Sequence, residues 1–235
     1  MTTDGLRDVL DEKFRQCSLM DAPLADRLLA FANEVRRLGP HFATAVDDLV
    51  DRLMENGAGT TAPKPGDAMP SFLLPNEQGQ LVGLEDLLKQ GPVALSFNRG
   101  HWCPYCRMNV AALARAEQDS RKQRGHIVAI VPDRQKYAAW LKADADAPFP
   151  ILTDMDNGYA ASLDLAIWVG ETMKSMMESA GWDPAVSQGT NDWTLPIPAT
   201  FIVGTDGIIA ARFVDPDYRN RMAIDDMIAA LVAAR

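Results

Sequence analysis

Two short apolar runs, Val93–Phe97 and His126–Val131, bracket a stretch from Pro104 to about Gln123 that reads as a helix. Runs this short and this continuously apolar read as strands buried on both faces, and a crossover helix between two strands lets them pair in parallel. That βαβ unit, right-handed by the chirality of the crossover, confines the chain to an α/β architecture. Downstream, Arg134–Ala143 reads as another helix, with Tyr137, Trp140 and Leu141 as core candidates. Phe201–Val203 and Ile208–Phe213 flank Gly204-Thr205-Asp206-Gly207, a hairpin signal, and Asn220–Ala234 closes as an amphipathic helix. The expected fold is a central mixed sheet flanked by helices.

Upstream the periodicity is helical. Leu6, Val9, Leu10, Phe14 and Cys17 recur at three and four residue spacing, and a second apolar face carries Leu24, Leu28, Phe31, Ala32 and Val35. A third carries Phe42, Val46, Leu49, Val50 and Leu53, with Pro23 suited to a first helical turn and Gly39-Pro40 to a stop. Ala58 to Asp67 reads AGTTAPKPGD, small residues and prolines without periodicity. The boundaries expected are a helical extension over 1–57, a linker over 58–66 and an α/β domain over 67–235.

A chain of 235 residues buries enough surface to fold without disulfides or a structural metal, so its cysteines are free for chemistry. The net charge of −9 argues against nucleic acid or an anionic membrane as partner. The acidic start, MTTDGLRDVLDEKF, lacks the apolar core of a signal peptide, and no run approaches a membrane span, so the cytoplasm is the expected location. Of the three cysteines, Cys103 and Cys106 stand at CxxC spacing, which points to redox or metal chemistry. Zinc would need about four ligands. Besides this pair the sequence offers only Cys17, His41, His101 and His126, with no second CxxC and no HxxxH, so no metal and no cofactor is expected.

The CxxC lies where Ser96-Phe97-Asn98-Arg99-Gly100-His101-Trp102-Cys103-Pro104-Tyr105-Cys106 runs off a strand into a helix. Cys103 falls at the helix cap, where free N–H groups and the macrodipole favour a thiolate, so its pKa should lie below the ordinary value. Cys106, one turn inward, can close a disulfide with little motion. Arg99, His101 and Arg107 bracket the pair, and from Arg99 to Arg124 six basic residues face two acidic ones. Arg115, Arg121, Lys122 and Arg124 read as a solvated helix surface, whereas Arg99 and His101 are candidates to stabilise the Cys103 thiolate.

Three further features have plain readings. Cys17, on an apolar helix face, reads as a buried, inert thiol. Asp154-Met155-Asp156-Asn157-Gly158 hints at a calcium loop, but the glycine comes one position early and the closing glutamate is missing, so a turn with a helix cap is the better reading. Met173, Met176 and Met177, with Trp168, Trp182 and Trp193, cluster in what reads as an insertion between Val169 and Leu195. Core packing and a lid or substrate platform over the CxxC explain them equally well.

The order strand, helix, strand, hairpin, helix, with WCPYC at a helix start, resembles the thioredoxin superfamily, and CPYC is similar to the glutaredoxin variant. The wider chain resembles the peroxiredoxin-like branch of the alkyl hydroperoxide reductase and thiol-specific antioxidant family. The resemblance rests on Gly66-Asp67, Pro70, Phe72, Leu74-Pro75, Gly79, Leu84 and Leu87 at the opening and on LPIPATFIVGTDGII at the close. It implies a thioredoxin-like fold, a hydroperoxide or disulfide substrate, and a thiol reductant such as thioredoxin, glutaredoxin or glutathione; a homodimer is compatible with it.

Two departures bear on mechanism. Laid on Cys106, the family signature PxxxTxxC has Arg99 at its proline and Cys103 at its threonine. The family's later arginine falls at or near Pro198, where Ile197-Pro198 instead resembles the cis-proline of thioredoxins, an isomer that costs an X-Pro bond only about 0.5 to 1 kcal/mol. Three functions follow. In the first, a disulfide oxidoreductase, Cys103 attacks, Cys106 resolves, and Trp102, Pro104, Tyr105, Ile197 and Pro198 frame the site with Arg99 and His101. In the second, a thiol peroxidase, Cys106 meets the hydroperoxide. The third is a binding module with an idle CxxC and an ordinary cysteine pKa.

Overall fold

The computed structural model describes residues 3–122 and 125–234, with side chains outside 3–7 and 118–124. The readings of Leu6, Arg121, Lys122 and Arg124 fall on side chains outside that description. The chain begins with α1 (Thr3–Ser18), α2 (Leu24–Leu38) and α3 (Pro40–Glu55), followed by a β1 (Leu73–Pro75) and β2 (Leu81–Gly83) hairpin and α4 (Leu84–Leu88). The βαβ unit is β3 (Val93–Phe97), α5 (Pro104–Lys122) and β4 (His126–Val131). Then come α6 (Gln135–Asp144), β5 (Ile151–Thr153), α7 (Gly158–Ser162) and β6 (Ala166–Trp168). Next are α8 (Glu171–Ser179), α9 (Pro184–Gln188), β7 (Thr194–Pro196), β8 (Ala199–Val203), β9 (Ile209–Val214) and α10 (Ile224–Ala233).

The central sheet has the order β5-β4-β3-β8-β9. β3 pairs in parallel with β4, which pairs in parallel with β5; β8 and β9 are antiparallel, so the sheet is mixed. Side chains alternate between its faces: Val93, Leu95 and Phe97 pack with Val128, Ile130 and Phe201, and Ala94 packs on the other side with Ile127, Ala129 and Ile202. Both faces are therefore covered, which is why these strands read as unbroken apolar runs. Each fully buried Leu, Ile or Phe contributes about 1.5–3 kcal/mol.

Three sequence readings change in the fold. The proline-rich segment read as a linker packs down: Ala62 is buried in the core, and Arg212 bonds the carbonyls of Ala62 and Pro63. Trp140 is exposed, set edge-on to Tyr137 and beneath the Lys136 ammonium, while Leu141 beside it is buried. No cis peptide occurs among the described residues, so Ile197–Pro198 is trans. The Ile197 N–H donates to the Leu165 carbonyl at 2.7 Å, and Ala199 already pairs with Phe97, so the chain runs extended from β7 into β8. The Asp154 segment is a helix cap: its carboxylate accepts the N–H groups of Tyr159 and Ala160, each at 2.8 Å.

Helices α1 to α3 do not stand apart from the α/β core. Phe31 and Val35 of α2 share one apolar cluster with Cys103, Tyr105, Cys106 and Met108 of the CxxC segment. On the other side, Val46, Leu49 and Val50 of α3 pack with Met173 and Met177 of α8 and with Trp193. The Arg52 guanidinium fastens the two by donating to the carbonyls of Trp168 at 3.2 Å and Val169 at 3.0 Å. The apolar face of α2 is thus spent on covering the CxxC, and that of α3 on α8.

Candidate active site

The end of β3 delivers the site. The Asn98 N–H donates to the Ile130 carbonyl at 2.8 Å, and the Asn109 side-chain amide bonds Ser96 Oγ and Asn98 Oδ1, tying the second turn of α5 to the strand. Between them the chain turns at Gly100, whose φ of +131° lies in the region only glycine adopts freely. A Cβ there would lie 2.6 Å from Asp133 Oδ1. That buried carboxylate accepts the His101 N–H at 2.6 Å and so pins the loop. Gly100→Ala is therefore expected to lower unfolding free energy by roughly 2–3 kcal/mol, read by urea denaturation.

Cys103 sits at the N-cap of α5, its carbonyl accepting the Arg107 N–H at 3.1 Å, and Cys106 faces inward one turn later. Both thiols are free, with exposures of 1% and 0%. The donors converge on Cys106: Sγ accepts the Arg99 backbone N–H at 3.2 Å and the Arg221 guanidinium at 3.4 Å. Burial alone would raise the Cys106 thiol. The hydrogen bond from Cys103, the charges of Arg221 and Arg99 and the Arg99 N–H outweigh it and bring the thiol down to about 6. Burial, and the hydrogen bond and charge of Cys106, push Cys103 well above its ordinary value. This reverses the expectation that the helix mouth makes Cys103 the anion.

The other expected site residues divide. Arg99 is buried, its guanidinium 3.9 Å from the centroid of the Tyr218 ring and 5.0 Å from that of Trp102. Trp102 is held by its indole N–H on the Arg99 carbonyl at 3.1 Å. The Tyr105 ring lies between Phe31 and Tyr218, with centroids at 5.3 and 5.4 Å, and Pro104 opens the helix. These residues line a small chamber of about 30 Å³ over Cys103, roofed by Phe42, Met173, Met177 and Trp182. The methionine and tryptophan insertion thus lies over the CxxC. His101 turns away, its Nε2 on Asp144 at 2.9 Å, and Ile197 and Pro198 are buried but not among the chamber's lining.

Sequence reasoning passed over Arg221, Tyr218 and Asp133. The first two come from the loop between β9 and α10, which Arg219 ties to α3 through Asp47 at 2.8 Å. Arg221 also bonds the carbonyls of Tyr218 and Asn220, and it lines an open cleft of about 540 Å³ with Leu28, Asn33 and Arg36 of α2. It thereby links bulk solvent to the Cys106 sulfur. Asp133 is raised to about 6 by burial, against the hydrogen bonds of His101 and Ser187. Among the described residues no three His, Cys, Asp or Glu side chains gather as metal ligands would. Cys17 is buried in the α1–α2 packing, which raises its thiol.

Two buried cysteines in the first turn of a helix, on a mixed five-stranded sheet, are the frame against which known proteins compare. The family model described as the AhpC/TSA family matches residues 65–212. No curated protein matches the chain. Among solved structures it is similar to peroxidoxin BcpB from Mycobacterium tuberculosis, with a TM-score of 0.57 and 22% identity over 73% of this chain and 98% of that one. It is also similar to a cysteine-to-serine mutant of peroxiredoxin 6 from Arenicola marina, with a TM-score of 0.55 and 17% identity over 72% of each chain. For peroxiredoxin Q from Xanthomonas campestris the TM-score is 0.53 at 16% identity, over 69% and 90%. At these identities the likeness is one of fold, and the family match carries the assignment: the chain belongs to the AhpC/TSA family, as a thiol-dependent oxidoreductase.

Proposed function

We propose that the protein reduces hydroperoxides in the cytoplasm with Cys106 as the attacking thiolate and Cys103 as the resolving thiol. The observation that carries this reading is the convergence of the Arg99 N–H, the Arg221 guanidinium and the Cys103 thiol on Cys106 Sγ. Cys106 also takes the last position of the family's PxxxTxxC pattern, with Cys103 in place of the threonine.

The thiolate of Cys106 attacks the outer oxygen of ROOH, the O–O bond breaks, and Cys106 becomes a sulfenic acid. The departing RO⁻ takes the proton of the neighbouring Cys103 thiol and leaves as ROH. Cys103, now a thiolate, attacks the Cys106 sulfur, expels hydroxide that is protonated to water, and closes the disulfide. Two electrons from a thiol reductant then restore the pair. Arg221 and Arg99 serve the first step twice, by holding the sulfur anionic and by stabilising charge on the breaking O–O bond.

Disulfide exchange begun at Cys103 would need its thiolate there, and burial drives that thiol the other way. An idle clasp would leave both thiols ordinary, and Cys106 is lowered. The test is the second-order rate at which hydrogen peroxide and an alkyl hydroperoxide oxidise the fully reduced protein, followed by tryptophan fluorescence. At least about 10²-fold over a free thiolate of matched pKa is expected, the gain an oriented donor set supplies. A rate equal to the free thiolate would leave disulfide exchange as the function.

A further inference from the structure

The small chamber over Cys103 is not closed off from the surface by much. It shares Val35, Phe42 and Trp182 with a groove of about 490 Å³ that runs between the α2–α3 corner and α8. The groove's other walls are Leu10, Leu38, Met176 and Ala180, with Ser175, Ser179 and His41 among its remaining lining residues. Phe42 and Trp182, edge-on with centroids 5.1 Å apart, line both groove and chamber together with Val35. Among the described residues no Asp, Glu, Lys or Arg lines the groove, and its volume suits a small molecule rather than a peptide.

This approach leads to Cys103, not to Cys106. Arg99, Cys103, Pro104 and Tyr105 line the chamber, whereas Cys106 is not among its lining residues and its sulfur bonds Arg221, which lines the separate cleft beside α2. The distinction matters once the pair is oxidised. A thiolate attacking a disulfide expels the sulfur of lower pKa more readily, and Cys106, held by Arg221 and the Arg99 N–H, is that sulfur. The productive target for a reductant is therefore Cys103, which lines the chamber adjoining the groove.

Resting on the peroxidase reading, we infer that the groove admits the reductant, and that this reductant is a small dithiol carrying an uncharged apolar chain. The chain lies along Leu38, Met176 and Ala180 while Phe42 and Trp182 part to pass the sulfur. One thiolate of the dithiol attacks Cys103 Sγ, the Cys103–Cys106 bond breaks, and Cys106 leaves as its thiolate. The second thiolate of the same molecule then attacks its own first sulfur, forming a cyclic disulfide and releasing Cys103, which takes up a proton. Two electrons pass from the dithiol to the protein pair.

A dithiol suits this confinement: its second thiol is already tethered beside the mixed disulfide, so no second molecule has to enter past a chamber of about 30 Å³. Glutathione would strip water from its carboxylates in a groove whose described lining holds no Lys or Arg to receive them. A protein thiol would have to lift α2, α3 or α8 to touch a sulfur that is 1% exposed.

The experiment oxidises the protein with diamide and confirms an intramolecular Cys103–Cys106 disulfide by the loss of two hydrogens. Anaerobic re-reduction is then followed by alkylation and mass spectrometry with dihydrolipoamide, dithiothreitol, glutathione or thioredoxin at equal thiolate concentration. Dihydrolipoamide should show saturation and exceed dithiothreitol, which lacks the apolar chain, by about tenfold or more. Met176→Glu should raise its half-saturating concentration about tenfold. Ser175→Glu, at the exposed rim where folding is not at stake, should act in the same direction. Equal rates for the two dithiols, faster reduction by glutathione or thioredoxin, or indifference to both substitutions would overturn the inference while leaving the peroxidase reading in place. Failure to form the disulfide by diamide or by hydroperoxide would remove both.

Discussion

Cys106→Ser is expected to abolish hydroperoxide consumption, whereas Cys103→Ser should consume one equivalent and stop. That asymmetry is the expected result if Cys106 attacks, and it inverts under disulfide exchange begun at Cys103. Loss of the attacking sulfur should cost at least about 10³-fold in turnover, as loss of a nucleophile does elsewhere. In Cys103→Ser the sulfur bonded by the Arg99 N–H at 3.2 Å and the Arg221 guanidinium at 3.4 Å is intact. It should still react, and the product is a sulfenic acid with no neighbour to condense with, measured as a dimedone adduct on Cys106. The first-step rate should fall modestly, because a serine hydroxyl still donates to the thiolate but gives up its proton less readily than Cys103. A Cys103→Ser protein that takes up no oxidant at all would sink the assignment of roles.

The strands of the βαβ unit were legible for a simple reason. Val93–Phe97 and Val128–Val131 are covered on both faces, so burial writes itself into every position of the run. The N-cap position of Cys103 was legible too, because helix starts are local. The covering of the site was not. An amphipathic face such as Leu24, Leu28, Phe31 and Val35 announces that something will pack on it, and nothing local says that the partner is Tyr105.

The placement of the anion was misread for the same reason. A helix macrodipole is a local feature and favours Cys103, whereas the Arg221 donor arrives from a loop 115 residues further along the chain. That loop, Asp215 to Arg221, is dense in charge, and its last two residues read as the start of the closing helix, which begins only at Ile224. It also lies beyond residues 65–212, where the family model matches. The arginine expected near Pro198 is absent there, and Arg221 supplies a guanidinium to the sulfur from a different element.

Arg221→Met should therefore slow hydroperoxide reduction at neutral pH by about 10²-fold, the loss that follows removal of one donor aimed at developing charge. Two effects combine. The Cys106 thiol, brought from an ordinary 9.0 to about 6 against its burial, should move back toward the ordinary value, so less thiolate is present at pH 7. At pH 9, where the thiolate is restored, the remaining deficit reports the guanidinium's part in breaking the O–O bond. A purely structural role for Arg221 would leave the pH midpoint of Cys106 alkylation in place, and that result would refute the argument. Arg221→Lys should recover part of the loss, since it keeps a charge but not the planar donor pair. The linkage to stability has a defined sign. A folded pKa below the unfolded one stabilises the native state above the unfolded value, and this contribution fades as pH falls through about 6. Asp133 works in the other direction in a lower window, its neutral form favoured by burial, so its contribution is lost as pH rises from 3.8 through about 6. The summed contribution of these two groups should accordingly be smallest near pH 6 and rise toward pH 9 in the wild type. In Arg221→Met the rise should flatten while the fall below pH 6 persists, because only the cysteine has lost its cation.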